Sequence, residues 1–330
     1  MTVDMRPQMP GVTASTGLRV AVLIPCWNEE VAIAKVVGDF RVALPEAAVF
    51  VYDNNSTDRT AMVAREAGAV VRHELLQGKG NVIRRAFADV EADVYVLVDG
   101  DDTYDAASAP EMVRLLLEER LDMVIGRRVT DIDAAYRRGH RFGNRVLTGV
   151  VRFIFGDRIS DMLSGYRVFT RRFVKSFPAL ASGFDTETEF TVHALELAMP
   201  VVEFATRYKD RPAGSTSKLR TYSDGLLILR TILVLVKEER PLQFFSLSGA
   251  VLLLLALWLG APVVAEFLRV GLVPRFPTAI LATGLVLLSF LSFASGFILD
   301  SVARGRREMK RFAYLSIAAP TIDIGAAAAR

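Results

Sequence analysis

The sequence of 330 residues holds one cysteine, Cys26. That excludes an internal disulfide framework and a cysteine-built metal site, and it fits a reducing compartment. Histidine is nearly as scarce. His73, His140 and His193 stand far apart, without metal-ligand spacing, and read as surface or packing residues. A net charge of only +3, with no Arg/Lys stripe carrying interleaved aromatics, excludes a nucleic-acid binder. No GxGxxG follows the first predicted strand, which removes a dinucleotide fold of the dehydrogenase type. Met1–Thr16 mixes Pro, Gly, Ser and Thr and leads into no apolar h-region. A flexible tail over residues 1–17 is therefore expected in place of a signal peptide, with the soluble domain on the cytoplasmic side.

What is present is an alternation. Strands are predicted at Arg19–Ile24, Val49–Tyr52, Ala69–Arg72, Asp93–Val98 and Asp122–Ile125. Helices are predicted at Glu29–Ala43, Asp58–Ala67, Lys79–Val90 and Pro110–Glu119. Such a series demands crossovers and a Rossmann-like, largely parallel sheet flanked by helices, and ligands of such sheets bind at the carboxyl ends of the strands. A further helix is expected over Asp185–Met199 and a strand over Val201–Arg207, closing a catalytic domain at 18–222. Ser223–Val236 reads as an amphipathic helix lying in a membrane interface, within a juxtamembrane segment at 223–240. Phe244–Phe267 and Phe276–Leu299 each exceed the roughly 20 apolar residues that span a bilayer, giving a transmembrane hairpin at 241–303. The bland alternative is a buried hairpin in a soluble core. Lys237, Arg240, Arg304, Arg306, Arg307, Lys310 and Arg311 flank the hairpin, so both termini are expected in the cytoplasm, the second as a basic tail at 304–330.

The chemistry-bearing residues recur at the predicted strand ends. Asp99-Gly-Asp101-Asp102 follows the strand at Val98. Clustered carboxylates repel one another unless a cation compensates them, and such oxygen ligands suit Mg²⁺ or Mn²⁺ carrying a diphosphate. The competing reading is an ordinary Asp-Gly turn. Ile24-Pro-Cys-Trp-Asn-Glu-Glu30 ends the first strand, where Pro25 and Trp27 would wall a nucleobase, or Asn28 would merely cap a helix. Asp53-Asn-Asn-Ser-Thr-Asp58 ends the second, with Asp53 facing a base or ribose and Ser56 or Thr57 as the capping alternative. Gly78-Lys79-Gly80 after the third lets backbone and ammonium approach a phosphate.

In this order and spacing, IPCWNEE, DNNSTD, GKG and DGDD resemble the family-2 inverting glycosyltransferases of GT-A fold. Asp161-Met-Leu-Ser-Gly-Tyr-Arg167 resembles that family's D-x-x-S-G-[FY]-R segment, and Gly183-Phe-Asp-Thr-Glu-Thr-Glu189 its G-[FY]-x-x-E-x-E helix start. With the loop ending Ser217-Lys218 and the apolar hairpin, the resemblance narrows to the polyprenyl-phosphate (dolichyl-phosphate) glycosyltransferases over about residues 19–300.

The resemblance implies Asp99 and Asp101 as the metal-binding, catalytic pair. It implies a nucleotide-sugar site of Pro25, Trp27, Glu29, Asp53, Lys79, Asp99, Gly100, Arg211 and Lys218, and acceptor-phosphate contacts from Arg127, Arg128, Arg141 and Arg145. The implied reaction moves a hexose, with inversion, from a nucleotide-sugar (UDP preferred over GDP) to polyprenyl phosphate. Trp27 departs from the commoner tyrosine and Asn54-Asn55 from the commoner Asp-Gly, which leaves donor-base identity open. Glu187 and Glu189 either contact sugar hydroxyls or form the polar first turn of a helix. Rivals are a membrane-tethered transferase with a sugar acceptor, a processive polysaccharide synthase, and a catalytically silent membrane-recruiting partner. The synthase expects a Q-x-x-R-W motif and more helices than two. Gly249, Gly284 and Gly296 offer a homo-oligomer seam.

Overall fold

The computed structural model describes residues 17–129, 159–180, 186–212, 234, 237–238 and 240–320. Arg141, Arg145, Lys218, His140 and most of the interfacial helix expected at Ser223–Val236 lie outside the described residues, as do positions 1–16.

Seven strands form one sheet: β1 (Val20–Cys26), β2 (Ala48–Asp53), β3 (Val70–His73), β4 (Val94–Leu97), β5 (Met123–Val129), β6 (Arg167–Thr170) and β7 (Val201–Arg207). Their order is β3-β2-β1-β4-β6-β5-β7. All pairings are parallel except those of β6, which runs antiparallel between β4 and β5. Strand β6 is absent from the strands expected above, because Arg167-Val-Phe-Thr170 opens on a charged residue and shows no apolar–polar alternation.

Among the described residues, six helices sandwich the sheet. On one face α1 (Ile33–Ala43), α2 (Thr60–Glu66) and α4 (Ala109–Glu118) bring Ile33, Val37, Phe40 and Met112 against Val22, Ile24 and Val96. On the other, α3 (Lys79–Asp89), α5 (Arg171–Ser176) and α6 (Thr186–Glu196) bury Ile83, Phe87, Phe173 and Phe190 against Leu23, Tyr95 and Ile125. Strand side chains alternate between these two cores, as the pleat requires. Helix α1 starts at Ile33, not Glu29. Its N-cap is Ala32 with no side-chain bond, because Asn28 instead accepts a 2.8 Å hydrogen bond from the Thr57 amide. Similarly, Asp58 and neither Ser56 nor Thr57 accepts the Thr60 amide that opens α2, at 2.9 Å.

Helices α7 (Pro241–Val270) and α8 (Phe276–Leu315) form an antiparallel hairpin turned by Gly271 at φ 72°. Both are long and apolar enough to cross a membrane, and their most apolar windows are only 11% and 17% buried. That exposure argues against a hairpin serving as a soluble core, which would be covered. Gly249 lies against the Phe293 ring and Gly296 against Phe245, while Ser289 Oγ donates to the Gly249 carbonyl at 2.8 Å. Two of the three glycines expected to serve an oligomer seam thus close the hairpin itself, since small residues let two backbones approach. Gly284 faces open space.

The end of α8 differs from the basic tail expected at 304–330. Residues 304–315 continue the helix and dock on the sheet domain. Lys310 Nζ lies 2.7 Å and Arg307 Nε 3.4 Å from the buried Glu196 carboxylate at the end of α6. Tyr314 donates a 2.8 Å hydrogen bond to Asp122, and the Arg172 guanidinium stacks 4.8 Å from the Tyr314 ring centroid. A basic run reads as solvated when its acidic partners lie more than a hundred positions away in sequence.

Candidate active site

The loops after β1, β2 and β3 converge on the carboxyl end of the sheet and are sewn together by their own side chains. The Asn28 amide donates to Ser56 Oγ at 2.9 Å, the Glu29 amide to Thr60 Oγ1 at 2.8 Å and the Arg59 amide to Glu30 at 2.9 Å. Asn54 spans the next gap, donating to the Glu74 and Leu76 carbonyls at 2.9 and 2.8 Å and accepting from the Gly78 amide at 2.7 Å. Asn28 and Asn55 hold φ of 54° and 61°, a region that Asn tolerates better than most residues. The DNNSTD motif is therefore largely a clamp.

Inside this frame Trp27 is 40% exposed and Pro25 half-buried at the end of β1, paired in register with Tyr52. Asp53 is 4% exposed. Its Oδ2 lies 3.2 Å from His73 Nδ1, while its Oδ1 is buried and has no hydrogen-bond partner among the described residues. A buried acceptor left unbonded costs roughly 1–3 kcal/mol, more if charged, so an arriving donor group would gain from meeting it. His73, read in the sequence as a surface or packing residue, is thus a neighbour of Asp53. Adjacent β2 and β3 bring the two together, and neither spacing nor motif announces it.

The acidic turn after β4 divides its carboxylates. Asp99 Oδ1 binds the Lys79 ammonium, which also binds Glu187 Oε1. Burial alone would depress the lysine, but the two carboxylates outweigh it and hold its pKa above the ordinary value. Asp101 accepts from Thr103 Oγ1 at 2.6 Å and lies 2.6 Å from Arg211. Burial first, and the Asp99 charge second, push the Asp101 pKa up despite those partners. Asp102, at φ 56°, turns away to Lys35 at 3.0 Å and Lys209 at 3.4 Å. Arg211 arrives because Tyr104 and Tyr208 form a β-bridge and the Lys209 amide donates to the Thr103 carbonyl at 2.8 Å. It also lies 3.9 Å from the buried Glu29. Gly100 is buried, and a Cβ there would come within 2.5 Å of Cys26 Sγ.

The D-x-x-S-G-[FY]-R segment backs this turn. Gly165 presses on the Asp99 carboxylate, and any Cβ there would collide with it. Its amide donates to Tyr104 Oη at 2.8 Å, and Ser164 Oγ donates to the Gly126 carbonyl at 2.6 Å. Arg167 is fully buried and donates to the Ser164 and Met162 carbonyls at 3.0 and 2.6 Å and to Thr191 at 3.0 Å. Burial pushes its pKa down to about 10. The segment is thus a scaffold under Asp99.

Arg127 and Arg128 occupy the carboxyl end of β5, both half-buried, on alternate faces of the strand. Arg128 grips Asp161 bidentately at 2.9 and 2.7 Å. Burial would raise the Asp161 pKa, but the guanidinium outweighs it and holds the carboxyl below its usual range. Glu189 accepts from the Leu180 amide at 2.9 Å. Among the described residues no group of three or more His, Cys, Asp and Glu could by itself hold a metal ion. Asp99 and Asp101 nevertheless fit a Mg²⁺- or Mn²⁺-type ion, which is commonly held by one or two carboxylates plus substrate phosphates. The mutual repulsion that raises Asp101 is what such a cation would relieve.

A sheet with polar clamps after its first strands, an acidic turn after β4 and one reversed strand is the build of a GT-A glycosyltransferase. Residues 21–177 match the family described as Glycosyl transferase family 2. The chain is 37% identical over 232 residues to "Glycosyltransferase AglJ" of Haloferax volcanii, covering 70% of this chain and 76% of that protein. It is 29% identical over 220 residues to a "Dolichyl-phosphate hexose transferase" of the same organism, covering 67% and 95%. Among solved structures, a glucosyl-3-phosphoglycerate synthase from Mycobacterium tuberculosis in complex with Mn²⁺, uridine diphosphate and phosphoglyceric acid superposes with TM-score 0.54. It is 21% identical and covers 70% of this chain and 84% of that one, a likeness of fold. The chain belongs to glycosyltransferase family 2 and is a glycosyltransferase.

Proposed function

We propose that this glycosyltransferase moves a hexose from a nucleotide-sugar, UDP-linked by preference, to polyprenyl phosphate at the cytoplasmic face of a membrane. The observation that carries the reading is the Asp99–Asp101 pair, each carboxylate facing one cation, in a chain with two bilayer-length helices. The similarity to a dolichyl-phosphate hexose transferase supports the acceptor class, and the UDP- and Mn²⁺-bound fold neighbour supports the donor class.

In this reading Trp27 and Pro25 wall the base, and Asp53 Oδ1 takes a donor from it. Lys79, Gly100, Arg211, Lys218 and the buried Glu29 surround the diphosphate and sugar. Asp99 and Asp101 would hold Mg²⁺ or Mn²⁺, which supplies charge stabilisation for a departing nucleoside diphosphate. Arg127, Arg128, Arg141 and Arg145 are assigned to the acceptor phosphate, for which guanidinium forks are suited. Arg128 must then act from its grip on Asp161. A phosphate oxygen is already anionic at neutral pH, so no side chain has to remove a proton. Catalysis then rests on positioning and charge stabilisation, with inversion at the sugar carbon. Residues 18–222 carry the chemistry and 241–303 anchor it.

The test is transfer of labelled sugar from a panel of UDP- and GDP-sugars, with and without polyprenyl phosphate, in Mn²⁺ or in chelator. Label entering the organic phase only with metal and lipid phosphate is the expected result. Nucleotide release without lipid labelling, under every donor, would overturn the acceptor and favour a soluble or glycan acceptor.

A further inference from the structure

Glu187 is not explained by the ion pair it makes. It stands in the first turn of α6, 4% exposed. One carboxylate oxygen, Oε1, binds Lys79, and the same ammonium binds Asp99. The second oxygen, Oε2, is buried and has no hydrogen-bond partner among the described residues. A counter-ion for Lys79 needs only one oxygen, and a buried acceptor without a donor is retained at a cost. The residue is also held in place from behind. Thr191 Oγ1 donates to the Glu187 carbonyl at 3.2 Å and accepts from the buried Arg167 at 3.0 Å. This anchored carboxylate stands beside the Lys79 ammonium that also binds Asp99, with one oxygen unsatisfied among the described residues, where the donor reading puts the sugar.

We propose that Glu187 is a specificity-determining residue for the donor sugar, its Oε2 accepting a hydrogen bond from a hexose hydroxyl while Lys79 fixes its orientation relative to Asp99. The inference rests on the donor reading above. It also narrows the substrate class: a carboxylate in this place welcomes a neutral hexose with a free hydroxyl and repels a uronic acid, whose own carboxylate would face it.

Binding to the full-length chain in detergent with Mn²⁺ decides it. UDP and UDP-glucose are titrated, with UDP-glucuronate as the repelled control, against wild type, Glu187→Gln and Glu187→Asp. If wild type turns over a different neutral UDP-hexose, that donor replaces UDP-glucose. The expected result is a loss of about 10- to 100-fold in UDP-hexose affinity with UDP affinity unchanged, the size of one hydrogen bond to a charged acceptor. UDP-glucuronate should bind wild type weakly and gain in Glu187→Gln. Equal weakening of UDP and UDP-hexose would show that Glu187 serves only as the counter-ion of Lys79, and no change in either would exclude it from the site. Retained UDP binding reports that each variant is folded. Should Glu187→Gln lose all binding, Glu187→Asp, which keeps the charge for Lys79, must still show the sugar-selective loss or the proposal fails. Wild type that binds neither UDP nor UDP-hexose fails the donor reading itself, a different outcome from a variant that binds both as wild type does.

Discussion

Two groups of buried carboxylates lie at opposite ends of the sheet, and they are treated differently. At the amino end, Asp122 is fully buried and fully bonded: Arg172 grips both its oxygens, and Thr170 and Tyr314 donate at 2.8 Å each. Glu196 is matched by Lys310 and Arg307. At the carboxyl end, Asp53 and Glu187 each keep one oxygen without a partner among the described residues, and Asp101 is crowded by Asp99. Register places Asp122 level with Thr170 and Val94, about five residues or roughly 16 Å below Asp99 at ~3.3 Å per residue. The difference separates structure from chemistry. A carboxylate whose donors are complete holds elements together, whereas one with an unsatisfied oxygen or a like-charged neighbour is poised for a donor or cation that the described residues do not supply.

Substitutions can break that contrast. The largest effect is expected from Asp101→Asn, which should lower sugar transfer by about 10³-fold. It should leave stability within about 1 kcal/mol, since it removes a repulsion with Asp99. Kinetics paired with denaturant unfolding checks both halves, and a large loss of stability would erase the distinction. Arg172→Ala is the mirror case. It leaves Asp122 short of its cation and should cost about 3 kcal/mol of stability, while donor turnover well below the melting point stays as in wild type.

Gly165→Ala sharpens the comparison from the scaffold side. The added methyl displaces the Asp99 carboxylate, so transfer should fall roughly 10²-fold, as expected for an ångström-scale misplacement, with metal affinity reduced in parallel. The smallest effect concerns His193, buried beside Phe173 and Phe177 with Ser176 Oγ 3.1 Å from Nε2. Burial first, and nearby Lys310 second, push its pKa down from 6.5 to about 3. The unfolded chain therefore takes up this proton first. Stability from this group is full above pH ~6.5 and declines as pH falls toward 3, by about 2 kcal/mol at pH 5. An NMR titration should show the His193 ring neutral throughout pH 5–8. A midpoint near 6.5 would mean that the docking of α8 is looser than the contacts of Lys310 imply.

Much of the fold was legible because it is written locally. Four helix-and-strand alternations and β7 follow from period and turn residues, and the apolar runs of α7 and α8 from length alone. The short antiparallel β6 carries no such signal. Of the site, the motif residues Asp99, Asp101, Asp53 and Lys79 could be picked out, and the structure gathers them at one end of the sheet. Arg211 reaches Asp101 only through the Tyr104–Tyr208 bridge. The commitment of Arg128 to Asp161 spans 33 residues and that of Lys79 to Glu187 spans 108, so neither could be read from neighbours.

The sequence by itself determined the class of fold, the acidic turn and the two membrane-length helices, because periodicity, turn chemistry and apolar length are properties of adjacent residues. Only the tertiary structure decided which charges are satisfied: that the basic end of α8 is a docked helix, that His73 stands beside Asp53, and that Glu187 Oε2 has no hydrogen-bond partner among the described residues. Hydrogen bonds and ion pairs reach only about 3–4 Å. Which groups come within that reach depends on how strands and helices from distant parts of the chain are packed.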